Sequence, residues 1–143
     1  MDSHSGGQVI AAQLSVRDGR AAIEFYKVAF GAVEDYRVGG TDDGPSVVAQ
    51  LSVGKTSFWV ADESPPHKNF SPDTLGGSTT RMLLIAEDPQ AVIDRAVAAG
   101  ATQVYEAGDA HGWRLGRIED PFGHHWEIGK PLVAWPPASG NHG

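Results

Sequence analysis

The stretch "AIEFYKVAFGA", residues 22–32, carries apolar side chains at helical spacing, and "AVIDRAVAAGA" at 91–101 repeats its outline 69 positions later. In the first, Ala22, Phe25, Tyr26, Ala29 and Phe30 form the stripe, with Asp18 placed as an N-terminal cap and Gly31 as a stop. In the second, Ile93, Ala96 and Val97 form the stripe, Asp88-Pro89 supplies the cap and first turn, and Gly100 ends the helix. Superposed without gaps, Ala22 meets Ala91, Val28 meets Val97, Ala29 meets Ala98, Gly31 meets Gly100 and Ala32 meets Ala101. Small apolar residues coincide easily at helical spacing. What makes this a repeat is the matching order of elements on both sides.

Outward from each helix, a β-like run precedes it, "VIAAQLSV" at 9–16 and "TTRMLLIA" at 79–86, and three follow it. After the first helix these are "AVEDYRVG", "SVVAQLSVG" and "TSFWVADE", with turns at "GGTDDGP" and "VGKT"; after the second they are "TQVYEAG", "GWRLGRIED" and "HHWEIGK". The fold class is therefore α+β, one domain over 1–143 built of two βαβββ modules, 8–63 and 78–130. Residues 64–77, polar and rich in Pro and Gly, read as the linker, and 1–7 and 131–143 as flexible tails. Each module should leave an apolar sheet face uncovered. Pairing of modules around one cavity, within the chain or in a homodimer, would cover it.

Eighteen acidic against eleven basic residues give a formal charge of −7, with the basic residues scattered. That field repels phosphate backbones, so no nucleic-acid partner is expected. No apolar run is long enough to cross a bilayer, and "MDSHSGGQVIAAQ" lacks the basic-then-apolar order of an export signal, so a soluble, cytoplasmic protein without a membrane partner is expected. The absence of cysteine removes disulfides, thiolate nucleophiles and Cys-based zinc sites. "VGGTDDGP" has no basic residue and no following helix, so it reads as a hairpin turn and not as a phosphate or calcium loop. Ser15, Ser57 and Thr80 lack a triad context.

The arrangement, with "AIEFYKVAFGA", "NFSPDTLGGS" at 69–78 and "RIEDPFGHHWEI" at 117–128, resembles the vicinal oxygen chelate superfamily, which contains glyoxalase I, bleomycin-resistance proteins and extradiol dioxygenases. Within it the chain is most similar to the branch named after phosphonate-operon proteins. The resemblance covers about residues 8–130 and implies paired modules, usually as a homodimer, with curled mixed sheets around a cavity. Metal-dependent members place one ligand on the first and one on the last strand of each module. By that resemblance the last position is Glu127, which matches. The first falls on Ala11, the second near Trp59 with Glu63 further along, and the third on Arg81, or on Thr80 if the ungapped repeat is used. Alanine and arginine bind no cation. The resemblance thus implies that the usual metal site is replaced by an Arg81–Glu127 pair and that no cofactor is bound; the alternative is a divalent Zn, Ni, Mn or Fe held by Gln13, His125 and Glu127.

Strand alternation places His125 on the face of Glu127, and His124 with Trp126 on the other. His125 and Glu127 are accordingly the candidates for acid–base chemistry, against a reading of His125 as a hydrogen-bonded residue after a turn. Trp126 reads as core. Trp59 and Trp113 are expected to line the cavity and stack on a planar ligand, oriented by Gln13, Arg81, Tyr105 or Glu127, with plain packing as the alternative. His111 is placed on a loop tip, and His4, His67 and His142 in linker or tails. The function expected is binding of a small aromatic or amphipathic organic molecule without a metal. The alternative is a metal-dependent lyase, isomerase or dioxygenase of the same superfamily.

Overall fold

A computed structural model describes residues 7–39 and 46–134. In chain order the first module comprises β1 (Gln13–Val16), α1 (Gly19–Phe30), β2 (Val33–Val38), β3 (Val48–Val53) and β4 (Thr56–Asp62). A short α2 (Pro72–Leu75) lies in the connection. The second module comprises β5 (Arg81–Ile85), α3 (Pro89–Ala98), β6 (Thr102–Ala110), β7 (Trp113–Glu119) and β8 (His125–Pro131). Each module forms one four-stranded mixed sheet, ordered β1-β4-β3-β2 and β5-β8-β7-β6, with the first strand parallel to the last. This is the α+β, two-module architecture expected, and neither sheet closes on itself.

The helices start and stop where their local chemistry dictates. Asp18 and Asp88 accept from the backbone N–H of Ala21 and Ala91, while Gly31, at φ 69°, ends α1 in the left-handed conformation glycine tolerates. Counted between the two caps, the repeat offset is 70; counted at Gly31 and Gly100 it is 69. One residue is lost in the last turn of α3, where the Ala99 N–H is shared between the Arg95 and Ala96 carbonyls and Gly100 donates to the Val97 carbonyl three residues back. This tight turn carries the buried stripe from Ile93 and Ala96 to Ala99, and Val97, expected in the stripe, is 41% exposed. The strand register decides the assignment that the ungapped repeat left between Thr80 and Arg81. Gln13 pairs with Trp59 as Leu83 pairs with Glu127, so Arg81 is the equivalent of Ala11.

One face of each sheet is covered. α1 packs on the first sheet through Ile23, Tyr26 and Ala29 against Val47, Ala49, Leu51 and Val60, and α3 packs on the second through Ile93 and Ala96 against Ile118 and Ile128. The helices also touch each other, so the two modules share a single core. Its centre is aromatic: the Trp126 ring lies 4.7 Å from Phe30, 5.4 Å from Tyr26 and 5.5 Å from Phe58. Asp120, buried beneath them, accepts from Tyr26 Oη (2.5 Å), Trp126 Nε1 (2.9 Å) and the backbone N–H of Phe122 and His124. This explains physically why "EFY" and "DPFGH" occur together in one chain: the tyrosine of one saturates the aspartate of the other across 94 positions.

The expected linker is more ordered than its composition suggests. Glu63 accepts from the backbone N–H of Ser71 and from Thr74 Oγ1, Ser71 is fully buried, and its Oγ caps α2. At the other end β8 reaches Pro131, and the N–H of Leu132 donates to the Gly112 carbonyl, so the chain is held beyond 130. The remaining tail residues, 1–6 and 135–143, with His4 and His142, and most of the "GGTDDGP" turn lie outside the described residues.

Candidate functional site

The uncovered face of the second sheet is built by alternation. β5 contributes Arg81, Leu83 and Ile85, β8 contributes His125 and Glu127, and β7 contributes Trp113, Leu115, Arg117 and Glu119. β6 adds Tyr105, which follows a bulge and pairs with Arg117. Tyr105, Arg117, Glu127 and Leu83 therefore form one row across four strands. The equivalent row of the first sheet is Tyr36, Gln50, Trp59 and Gln13, again with a bulge just before the tyrosine. The two modules keep the tyrosine and differ in everything else. The second row is charged, the first neutral.

At the centre of the charged row Glu127 Oε2 meets Arg117 Nη2 at 2.7 Å, Arg81 Nε at 3.2 Å and Tyr105 Oη at 3.4 Å. The expected pair with Arg81 is present, and Arg117 makes the shorter contact. Arg117 is 24% exposed against 55% for Arg81, and its guanidinium carbon also sits 5.4 Å from the centre of the Tyr105 ring. Burial raises the Glu127 carboxyl, but the Arg117 hydrogen bond, the charges of both arginines and the Tyr105 hydroxyl outweigh it and hold Glu127 below the ordinary carboxylate range. The same bond to Glu127 raises Arg117. Glu127 is thus an ionised acid shared by two cations.

Beside this cluster lies a largely apolar cavity of about 410 Å³ lined by Leu83, Tyr105, Trp113, Leu115, His111 and Glu127. Three residues expected to bind a ligand, Tyr105, Trp113 and Glu127, are brought together here, and Arg81 touches the last of them from outside the lining. The others are not. Trp59 lies on the first sheet with its ring 6.1 Å from Tyr36, and Gln13 lines a separate cavity of about 400 Å³ with Ser15, Phe70, Met82 and His124. His124 Nε2 lies 2.9 Å from the Ser15 carbonyl and ties β8 to β1. His125 lies one row from Glu127, its Nε2 3.8 Å from Glu119, and its buried Nδ1 has no partner among the described residues. His67 is exposed, as expected, and Trp126, 3% exposed, is core.

Arg117 was missed as a site residue, although the alternation of Trp113, Leu115 and Arg117 along one strand face carried the signal. His111 has φ 54° and reaches the cavity from the β6–β7 turn, which strand periodicity does not foretell.

The residues do not fit the superfamily's divalent ion. Leu83 and Arg117 flank Glu127 on the neighbouring strands where further donors would be needed, the equivalents of the other ligand positions are Ala11, Trp59 and Arg81, and two guanidiniums repel a cation from the one carboxylate. Among the described residues no three His, Cys, Asp or Glu side chains cluster closely enough to hold a metal.

The family model described as a glyoxalase-like domain matches residues 10–129. The chain belongs to the glyoxalase-like domain family. With it comes membership of the vicinal oxygen chelate superfamily that the sequence resembles. This glyoxalase-like chain is 39% identical over 127 residues to the uncharacterized protein Mb0911c of Mycobacterium bovis, covering 86% of this chain and 83% of the relative. The crystal structure of the Arabidopsis thaliana gene product At5g48480 is similar at a TM-score of 0.67 and 31% identity, over 86% of this chain and 98% of that one. FosX, a genomically encoded fosfomycin resistance protein of Listeria monocytogenes, matches at a TM-score of 0.68 and 16% identity over 88% and 94%; that likeness shows the shared glyoxalase-like fold alone.

Proposed function

We propose that this glyoxalase-like chain binds a small aromatic or amphipathic organic molecule on the open face of the second sheet, without a metal, and works as a homodimer. The observation that carries the reading is the convergence of two guanidiniums and a phenol on Glu127 Oε2, which sets two positive charges where a metal would need donors. Next to it, Trp113 and Tyr105 present flat aromatic surface in a cavity of about 410 Å³, the size and composition of a small-molecule site. The dimer is supported by the apolar side chains that both open faces expose, Val33, Tyr36 and Val38 on one and Leu83, Ile85 and Tyr105 on the other.

Elemental analysis of protein purified without chelator, with mass spectrometry of co-purifying small molecules, tests the reading. The expected result is metal far below stoichiometry and an organic ligand whose retention is lost in Trp113→Ala. Near-stoichiometric Zn, Ni, Mn or Fe, lost in Glu127→Gln, would overturn it.

A further inference from the structure

The Arg81–Glu127–Arg117 cluster holds two positive charges and one negative. Glu127 gives its Oε2 to both, the shorter bond going to the more buried Arg117, so the cation with charge to spare is the exposed Arg81. Arg81 lies on the same face of β5 as Leu83, which lines the cavity, and its Nε stands 3.2 Å from Glu127, which lines it too, so the guanidinium adjoins the cavity without forming its wall. The other carboxylate of this face, Glu119, stands two strands from Arg81 in the same row, across His125, with its Oε1 3.8 Å from His125 Nε2.

We infer that the ligand is an organic acid: an apolar ring seated between Trp113, Tyr105, Leu83 and Leu115, with its carboxylate on Arg81. This deepens the proposed function and rests on the cavity being the binding site. A cationic ligand would add a third positive charge to a cluster already in excess. A neutral one would desolvate the Arg81 charge and give nothing back. An anion neutralises the surplus, and the planar fork of arginine matches a carboxylate in two-point geometry while Nε stays on Glu127. Glu127 then acts as a positioning residue: it holds two guanidiniums in place without cancelling both.

The test compares naphthoate with naphthamide, two probes of nearly the same shape differing in charge, by titration calorimetry on the full chain. Naphthoate should bind on the order of tenfold more tightly or better, as a charge-assisted bond to an arginine predicts. Arg81→Gln should bring the two probes to near parity by weakening naphthoate and, with no charge left to desolvate, by holding or tightening naphthamide; Arg81→Lys should keep part of the preference, and Trp113→Ala should weaken both. If the Arg81 variants do not fold, salt titration of the unaltered chain replaces them: added salt must weaken naphthoate and leave naphthamide unchanged. Equal binding of the two probes would end the organic-acid inference and leave the cavity standing as the site. Binding of neither would end both. An Arg81→Gln protein that keeps the full preference would also overturn the assignment.

Discussion

The buried charge of Asp120 is the residue on which the core most depends. Its carboxylate is 3% exposed and receives four donors, from Tyr26, Trp126 and two backbone N–H groups. Asp120→Asn turns part of that acceptor into a donor facing donors, and we expect a loss of about 3–5 kcal/mol by denaturant unfolding; a loss comparable to an ordinary surface substitution would disprove the network's role. At the site, the sequence alone suggests that Arg81→Ala would strand Glu127. With Arg117 retaining the short bond, that expectation is revised. Arg81→Ala should cost less than about 1 kcal/mol, and Arg117→Ala about 1–3 kcal/mol, because only the second leaves the half-buried acid without its main donor. The pH dependence follows from Glu127 being held below the usual carboxylate range. A lowered acid contributes stability that is complete above its unfolded value, about 4.3, and is lost as pH falls through the folded value. Unfolding measured across the acid range should therefore show a shallower acid-side loss in Arg117→Ala than in the unaltered chain, and equal slopes would count against the pair.

At the scale of elements, helix ends and strand faces were legible because they follow from local chemistry. Asp18 and Asp88 were readable as caps, and Gly31 as a stop, since each needs only its own neighbours. The missing residue in the last turn of α3 was not readable, because a one-residue change leaves the small apolar pattern almost intact; Val97 is exposed, as is Val28, its partner in the ungapped repeat. How α3 sits on its sheet is set by Gly116. A Cβ there would stand 2.5 Å from Ile93 Cδ1 and 2.9 Å from the Ala107 nitrogen, so helix and sheet approach closely only over a glycine. Gly116→Ala should lower stability by about 1–3 kcal/mol through overpacking, read from the shift in melting temperature; an unchanged melting temperature would show that α3 can lift without penalty.

For the whole molecule, the outstanding feature is that each module has one face on the common core and one face uncovered. An apolar sheet face with Val33, Tyr36 and Val38 in the open calls for cover, and the proposed homodimer would provide it by symmetry. Light scattering should give twice the chain mass of 15.1 kDa. Tyr36→Asp, within β2 on that face, should shift the population toward the single chain. A protein that remains at single-chain mass at high concentration would remove the homodimer from the proposal.

The sequence by itself determined the repeat, the α+β class, the two helices with their caps and the burial of Trp126, and through the family pattern it pointed to Arg81, with Thr80 as the alternative, as the residue facing Glu127. All of these depend on periodicities of two and three to four residues, or on a family pattern written in contiguous motifs. Tertiary structure alone decided that Gln13 and Trp59 stand on one sheet while Glu127 stands on the other, that Arg117 is the acid's nearer partner, and that Tyr26 closes the Asp120 network. The physical reason is register. Which residue faces which across neighbouring strands is fixed by bulges, turns and packing summed over the whole sheet, and a shift of one position reverses every face.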